Sequence, residues 1–186
     1  MTKHVSVIGF YLNRNPKERI SYLYEHYSEY PHISASYQDM LQRRIAVIRS
    51  YERQRRDELG VRVMSGNPVS SITENMACEN SEIADIVVSG YLPAGVIHDL
   101  EDQREIRLGL HEMQIMQREY EAFNAALMGN LDGEELGIFM SHIRREKTME
   151  KMAQEFGVER DSVKKRIYRI KVKLVNILLE EFKEIA

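Results

Sequence analysis

Apolar residues recur at intervals of three and four along most of this 186-residue chain, with only four prolines and ten glycines to interrupt them. That spacing follows the turn of an α-helix, and clusters of β-branched residues that would favour strands are sparse. The chain is therefore expected to be all-α, and at 43% apolar residues it has enough material for a core. Residues 4–13, HVSVIGFYLN, suit either a short strand or an apolar turn.

The breakers divide the pattern into segments. Pro16 suits the first turn of a helix, and Ile20, Leu23, Tyr24 and Tyr27 share one face of it before Pro31 closes the segment. Beyond Ser34 or Ser36, a longer helix carries Met40, Leu41, Ile45, Ile48 and Tyr51 toward a stop at Gly60. Residues 61–71, VRVMSGNPVSS, lose the periodicity and read as a linker or extended crossing. Ser71 and Glu74 have the spacing of a capping box for a third helix, which YLPAG at 91–95 ends. From Ile97 to about Met128 the pattern is helical again, with Leu108, Ile115, Tyr120, Phe123 and Leu127 apolar. Gly109 within it costs about 1 kcal/mol relative to alanine. Asp132 is an expected N-cap for a helix bearing Leu136, Phe139, Met140 and Ile143. The expected organisation is a helical N-terminal region at 1–65, central helices at 66–130 that supply an oligomer contact, and a C-terminal unit at 131–186.

The C-terminal unit holds the most informative pattern. Thr148 can cap a short helix containing Met149, Met152, Ala153 and Phe156, and Gly157 stands where that helix must turn through positive φ. After Val158, Asp161 can cap a second helix whose Val163, Ile167, Ile170 and Leu174 make one apolar face. A small residue at 153, glycine at 157 and aliphatic anchors at 158, 163 and 167 make up a helix-turn-helix pattern.

Charge is concentrated in the second helix. Residues 160–173 carry seven basic side chains against Asp161 alone, a local charge of +6 in a chain whose net charge is −3, which leaves −9 for the remainder. Ser162, Lys165, Arg166, Arg169 and Lys173 are expected on the face opposite the apolar one, flanked by Lys164, Tyr168 and Lys171. Arginine can grip guanine bidentately, lysine and serine can reach base edges or phosphates, and a helix start favours phosphate. Double-stranded DNA is the polyanion such a surface fits. Arg160, Ser162, Lys164, Lys165, Arg166, Arg169 and Lys173 are the expected DNA-binding residues.

Residues 132–174, DGEELGIFMSHIRREKTMEKMAQEFGVERDSVKKRIYRIKVKL, resemble region 4 of a sigma factor, the part that reads the promoter −35 element. The whole chain resembles the ArpU/RinA-like phage regulators of late transcription. The likeness lies in its tyrosine-containing front helices, the junction SGNPVSSITENMA at 65–77, the long middle helix and the C-terminal unit, with the first 30 residues standing outside the pattern. The resemblance implies activation of phage or prophage late genes through DNA, with RNA polymerase a further partner. It does not imply a full sigma factor, since no separate aromatic-rich melting region is seen and the chain has no Trp.

Other features point to structure. Tyrosines 22, 24, 27, 30 and 37 have as many acidic as basic neighbours and suit a core or protein interface. The six histidines lack metal-site spacing, and no phosphate loop, nucleophile elbow or paired catalytic carboxylates occur, so neither an enzyme nor a cofactor is expected. Arg49, Arg53, Arg55 and Arg56 alternate with Glu52, Asp57 and Glu58, the pattern of a solvated face. Met113, Met116 and Met128 suit core packing. The single Cys78 and the absence of a leader-like or membrane-spanning apolar run suggest a reduced, cytoplasmic setting. Two readings of other classes share the pattern: a phage small terminase subunit with oligomerising helices, and a modulator whose basic helix meets acidic surface on RNA polymerase.

Overall fold

A computed structural model of the chain describes residues 8–58 and 72–185. These form seven helices and no strand: α1 (Pro16–Glu25), α2 (Tyr30–Glu58), α3 (Ile72–Ser89), α4 (Leu100–Asn130), α5 (Gly133–Ile143), α6 (Met149–Glu155) and α7 (Arg160–Ile185). The all-α class read from the periodicity is the class observed. Residues 8–13 make turns, not a strand; the rest of the N-terminal segment, the expected stop at Gly60, the crossing at 61–71 and the Ser71–Glu74 capping box lie outside the described residues.

The chain divides into two compact units, each assembled from separate stretches of sequence: Met1–Gly9 with Ser34–Gln114, and Phe10–Ile33 with Ile115–Ala186. Set beside the expected consecutive segments 1–65, 66–130 and 131–186, both units are discontinuous. Helices α2 and α4 supply residues to both.

In the first unit, α2, α3 and the first half of α4 bury Tyr37, Leu41, Ile45, Ile48, Ile83, Ile86, Val87, Ile106 and Leu110. Gly109 allows a close approach here, since a Cβ built on it would lie 2.6 Å from Leu41 Cδ2. Glu112 is fully buried in this core, and its carboxylate accepts from Gly9 N at 2.6 Å and from the Tyr37 hydroxyl. Of the α2 arginines expected on a solvated face, Arg55 and Arg56 are exposed, but Arg49 and Arg53 are held in ion pairs. Arg49 pairs with Glu79 at 3.2 Å and Glu82 at 2.8 Å, and Arg53 pairs with Glu79 at 2.6 Å, tying α2 to α3. Glu52 accepts from the backbone N–H of His98 at 2.7 Å and of Asp99 at 3.1 Å. Burial pushes the Glu52 carboxyl up, but these bonds outweigh it and hold the group below the usual carboxylate range.

In the second unit, α1 starts with a reciprocal cap: Asn15 Oδ1 accepts from Glu18 N and Glu18 returns the bond to Asn15 N. Pro16 occupies the first helical position, as the sequence suggested. Pro31 does the opposite of what was expected. It opens α2 instead of closing the previous segment, because a first-turn residue has no intrahelical acceptor and loses nothing by lacking an N–H. Tyr27 consequently falls between helices, and α2 begins ahead of Ser34 and Ser36. The core joins Ile20 and Leu23 of α1 to Phe123 and Leu127 of α4, Ile138 and Phe139 of α5, Met152 of α6, and Val163, Ile167, Ile170, Leu174, Leu178 and Phe182 of α7. Tyr30 stacks on Tyr120 with ring centroids 4.1 Å apart. Buried in this unit, Glu119 accepts from the Tyr11 hydroxyl at 2.6 Å and pairs with Arg19 Nη2 at 2.9 Å.

Three apolar expectations are corrected by exposure. Tyr51, Leu108 and Met128 lie on open surface, while Met113 and Met116 are buried as expected. The stretch foreseen as an oligomer contact thus directs most of its apolar residues into intramolecular cores. Among the described residues, no helix is long and apolar enough to cross a membrane.

Candidate nucleic-acid interface

The second unit positions the basic segment through two caps. Thr148 Oγ1 accepts from Lys151 N at 3.3 Å and starts α6. At its other end, Gly157 has φ +62°, Val158 N donates to Ala153 O at 3.0 Å and Gly157 N to Gln154 O at 3.4 Å. These are the two bonds of a Schellman stop, which needs a left-handed residue between them. The glycine anticipated from sequence therefore has a specific backbone task. α7 then begins two residues earlier than a cap at Asp161 would require: Val163 N bonds Glu159 O, so Glu159 is the boundary and Asp161 is a first-turn acid beside Lys164 at 4.0 Å. An acid there still suits the positive end of the helix dipole.

Arg145, the C-terminal stop of α5, is the one non-glycine residue with positive φ among the described residues, at +54°. Its guanidinium donates to Glu25 O at 3.2 Å. An open cleft of about 480 Å³ adjoins it, lined by Tyr24, His142, Arg145, Lys147, Thr148 and Lys151 among others. Burial, and then the charge of Lys171, hold the His142 imidazole below its ordinary range and favour its neutral form.

The anchors of α7 are placed as expected, with Val163, Ile167, Ile170 and Leu174 buried. The seven expected contact residues do not form one uniform outward stripe. Ser162 and Arg166 are half-buried at the edge of the face. Arg166 is paired with Glu134 of α5, and Lys173 donates to Asn130 O. Arg160 pairs with Glu150 of α6 at 2.9 Å, tying together the first turns of α6 and α7. The Glu150 carboxyl is held below the usual range by its own backbone N–H and then by Arg160. Lys164 pairs loosely with Asp161 and its charge also acts on Glu150, and the flanking Lys171 sits 4.1 Å from the centre of the Tyr24 ring. Lys165 and Arg169 are exposed and make no ion pair with any described residue.

The centre of the open face is accordingly Lys165, Tyr168, Arg169 and Val172. These positions at i, i+3, i+4 and i+7 lie opposite the buried anchors and share one side of the helix. Tyr168 is 69% exposed and Val172 42%. Sequence reasoning had Tyr168 as a flank and passed over Val172, although their helical phase relative to 163, 167 and 170 was sufficient to find them. It missed Glu134 and Glu150 because no local pattern marks a partner that far along the chain.

Among the described residues, no three His, Cys, Asp or Glu side chains gather to hold a metal ion. Elsewhere, an open cleft of about 560 Å³ in the first unit is lined by the Arg49–Glu79–Arg53 ion pairs and by Glu52, Arg56, Cys78, Glu82 and His98. No protein-family model, curated protein or solved structure matches the chain.

Proposed function

We propose that α6, the turn at Gly157 and α7 act as a helix-turn-helix unit that binds double-stranded DNA, and that the chain is a sequence-specific transcription activator. The observation that carries this reading is the two-sidedness of α7: its apolar side is committed to the core, while Lys165 and Arg169 project from the other side with no ion-pair partner among the described residues. Of the cations lining the cleft beside α6, Lys151 extends the basic surface toward the backbone contacts such a unit makes, whereas Lys147 is paired with Glu155 and Arg145 is bonded to Glu25 O.

Function by occupancy follows from this arrangement, with no catalytic step. The resemblance to ArpU/RinA-like regulators and to sigma region 4 makes phage or prophage late genes the proposed targets. RNA polymerase is the proposed partner of the bound chain, and the chain's acidic remainder offers that contact or self-association.

Binding to duplex DNA by fluorescence anisotropy across a salt series tests the reading. Affinity should fall steeply with salt, and the joint substitution of Lys165 and Arg169 by alanine should flatten the logarithmic slope by roughly 0.9 for each lost phosphate contact. A flat salt profile in the native chain, or a slope unmoved by the double substitution, refutes it.

A further inference from the structure

The outward face of α7 contains more than charge. Tyr168 and Val172 are two large apolar side chains one helical turn apart, exposed and flanked on the same face by Lys165 and Arg169. A surface that only tracked phosphates would gain nothing from them. Scattered exposed apolar residues are ordinary, but these two share the line on which the unpaired cations stand. From Lys165 to Val172 the helix rises about 10 Å, roughly three base-pair steps of a duplex. The apolar group presented in the major groove is the 5-methyl of thymine, beside guanine O6 and N7, which suit arginine and lysine.

We infer that the centre of this face reads thymine methyl groups, with Tyr168 and Val172 packing on them while Arg169 or Lys165 takes an adjacent guanine. The inference rests on the DNA-binding reading and deepens it: it names the feature of the duplex that is recognised. The charge of the face selects nucleic acid as its occupant, and the apolar pair gives a reason to enter the groove. The Tyr168 ring carries the contact, and its hydroxyl is dispensable to it.

The test begins by selecting bound duplexes from random DNA with the full chain, then replacing each thymine of the selected site in turn by deoxyuridine, which lacks only the 5-methyl group. One or two positions should lose about fourfold in affinity, the worth of one buried methyl. Tyr168→Ala or Val172→Ala should abolish the thymine-over-uracil preference at its own position while leaving the uracil-substituted duplex bound as before, and Tyr168→Phe should keep the preference. Both alanine substitutions fall on exposed helical sites, so the fold is expected to survive, and circular dichroism verifies this. A selected site that contains no thymine, or binds equally well with uracil throughout, overturns the inference and leaves DNA binding standing. Failure to select any duplex, together with salt-sensitive binding to polyglutamate, overturns both and assigns the face to an acidic protein.

Discussion

Gly109→Ala sets two effects of opposite sign against each other. Within α4 the substitution removes glycine's conformational cost, a gain of about 1 kcal/mol if the helix alone mattered. The new Cβ, however, would stand 2.6 Å from Leu41 Cδ2, where carbon atoms ordinarily rest about 3.5–4.0 Å apart. Leu41 is fully buried, so its terminal methyl must move by about 1 Å within a packed core. Overpacking of that kind costs about 1–3 kcal/mol. The expected outcome is a net loss of up to about 2 kcal/mol, and near the middle of that range the midpoint should fall by about 2–4 °C. A double-mutant cycle in urea then identifies the cause. Leu41→Ala alone should cost about 2–5 kcal/mol. In its background Gly109→Ala should become stabilising, because the clash is gone and the added methyl fills part of the space. The reasoning fails if Gly109→Ala raises stability in the native background, or shifts it equally in both.

Two further outcomes concern the second unit. Gly157→Ala should destabilise it by about 1–2 kcal/mol through backbone strain alone, since φ is +62° and nothing lies within 4 Å of an added Cβ. Gly157→Asn should cost less, and equal denaturation midpoints for glycine and alanine would contradict the Schellman stop. Glu119 supplies a pH test: burial raises its carboxyl above the ordinary 4.5, outweighing the opposing effects of Tyr11 and Arg19. A raised folded-state value means that stability from this group is fully present below about pH 4.5 and is lost as pH rises through the folded-state value. Arg19→Met removes the compensating cation, so its cost should grow from pH 4 to pH 8, toward the roughly 3–5 kcal/mol of a broken buried pair; a cost that is flat or shrinks with pH counts against this account.

The helical class was legible in sequence because three- and four-residue spacing is a local signal, and so were the caps at Asp132 and Thr148, whose bonding partners lie three residues away. Gly157 was legible for the same reason. Pro31 was misread because proline at a helix start and proline after a helix end leave the same mark in one dimension. Two further features were hidden. The buried carboxylates Glu112 and Glu119 carry no local mark in the sequence, since their partners Tyr37 and Tyr11 are 75 and 108 residues away. Within the candidate interface, the apolar anchors of α7 were fixed by periodicity, but which cations are occupied depended on Glu134 and Glu150, supplied by other helices.

The discontinuity of the second unit also has a schedule. Residues 10–33 leave the ribosome before the rest of their unit, and the Tyr11 hydroxyl must wait 108 residues for Glu119, while Ile20 and Leu23 wait longer still for the anchors of α7. At ordinary elongation rates of about 5–20 residues per second, this interval is roughly 5–20 s. Throughout it the first helix lacks the partners that α4, α5 and α7 later supply, whereas α2, α3 and the first half of α4 can already close on one another. The helix that presents Lys165 and Arg169 thus completes a core whose other wall was made well before it, so the basic face becomes rigid only once α7 itself has been made.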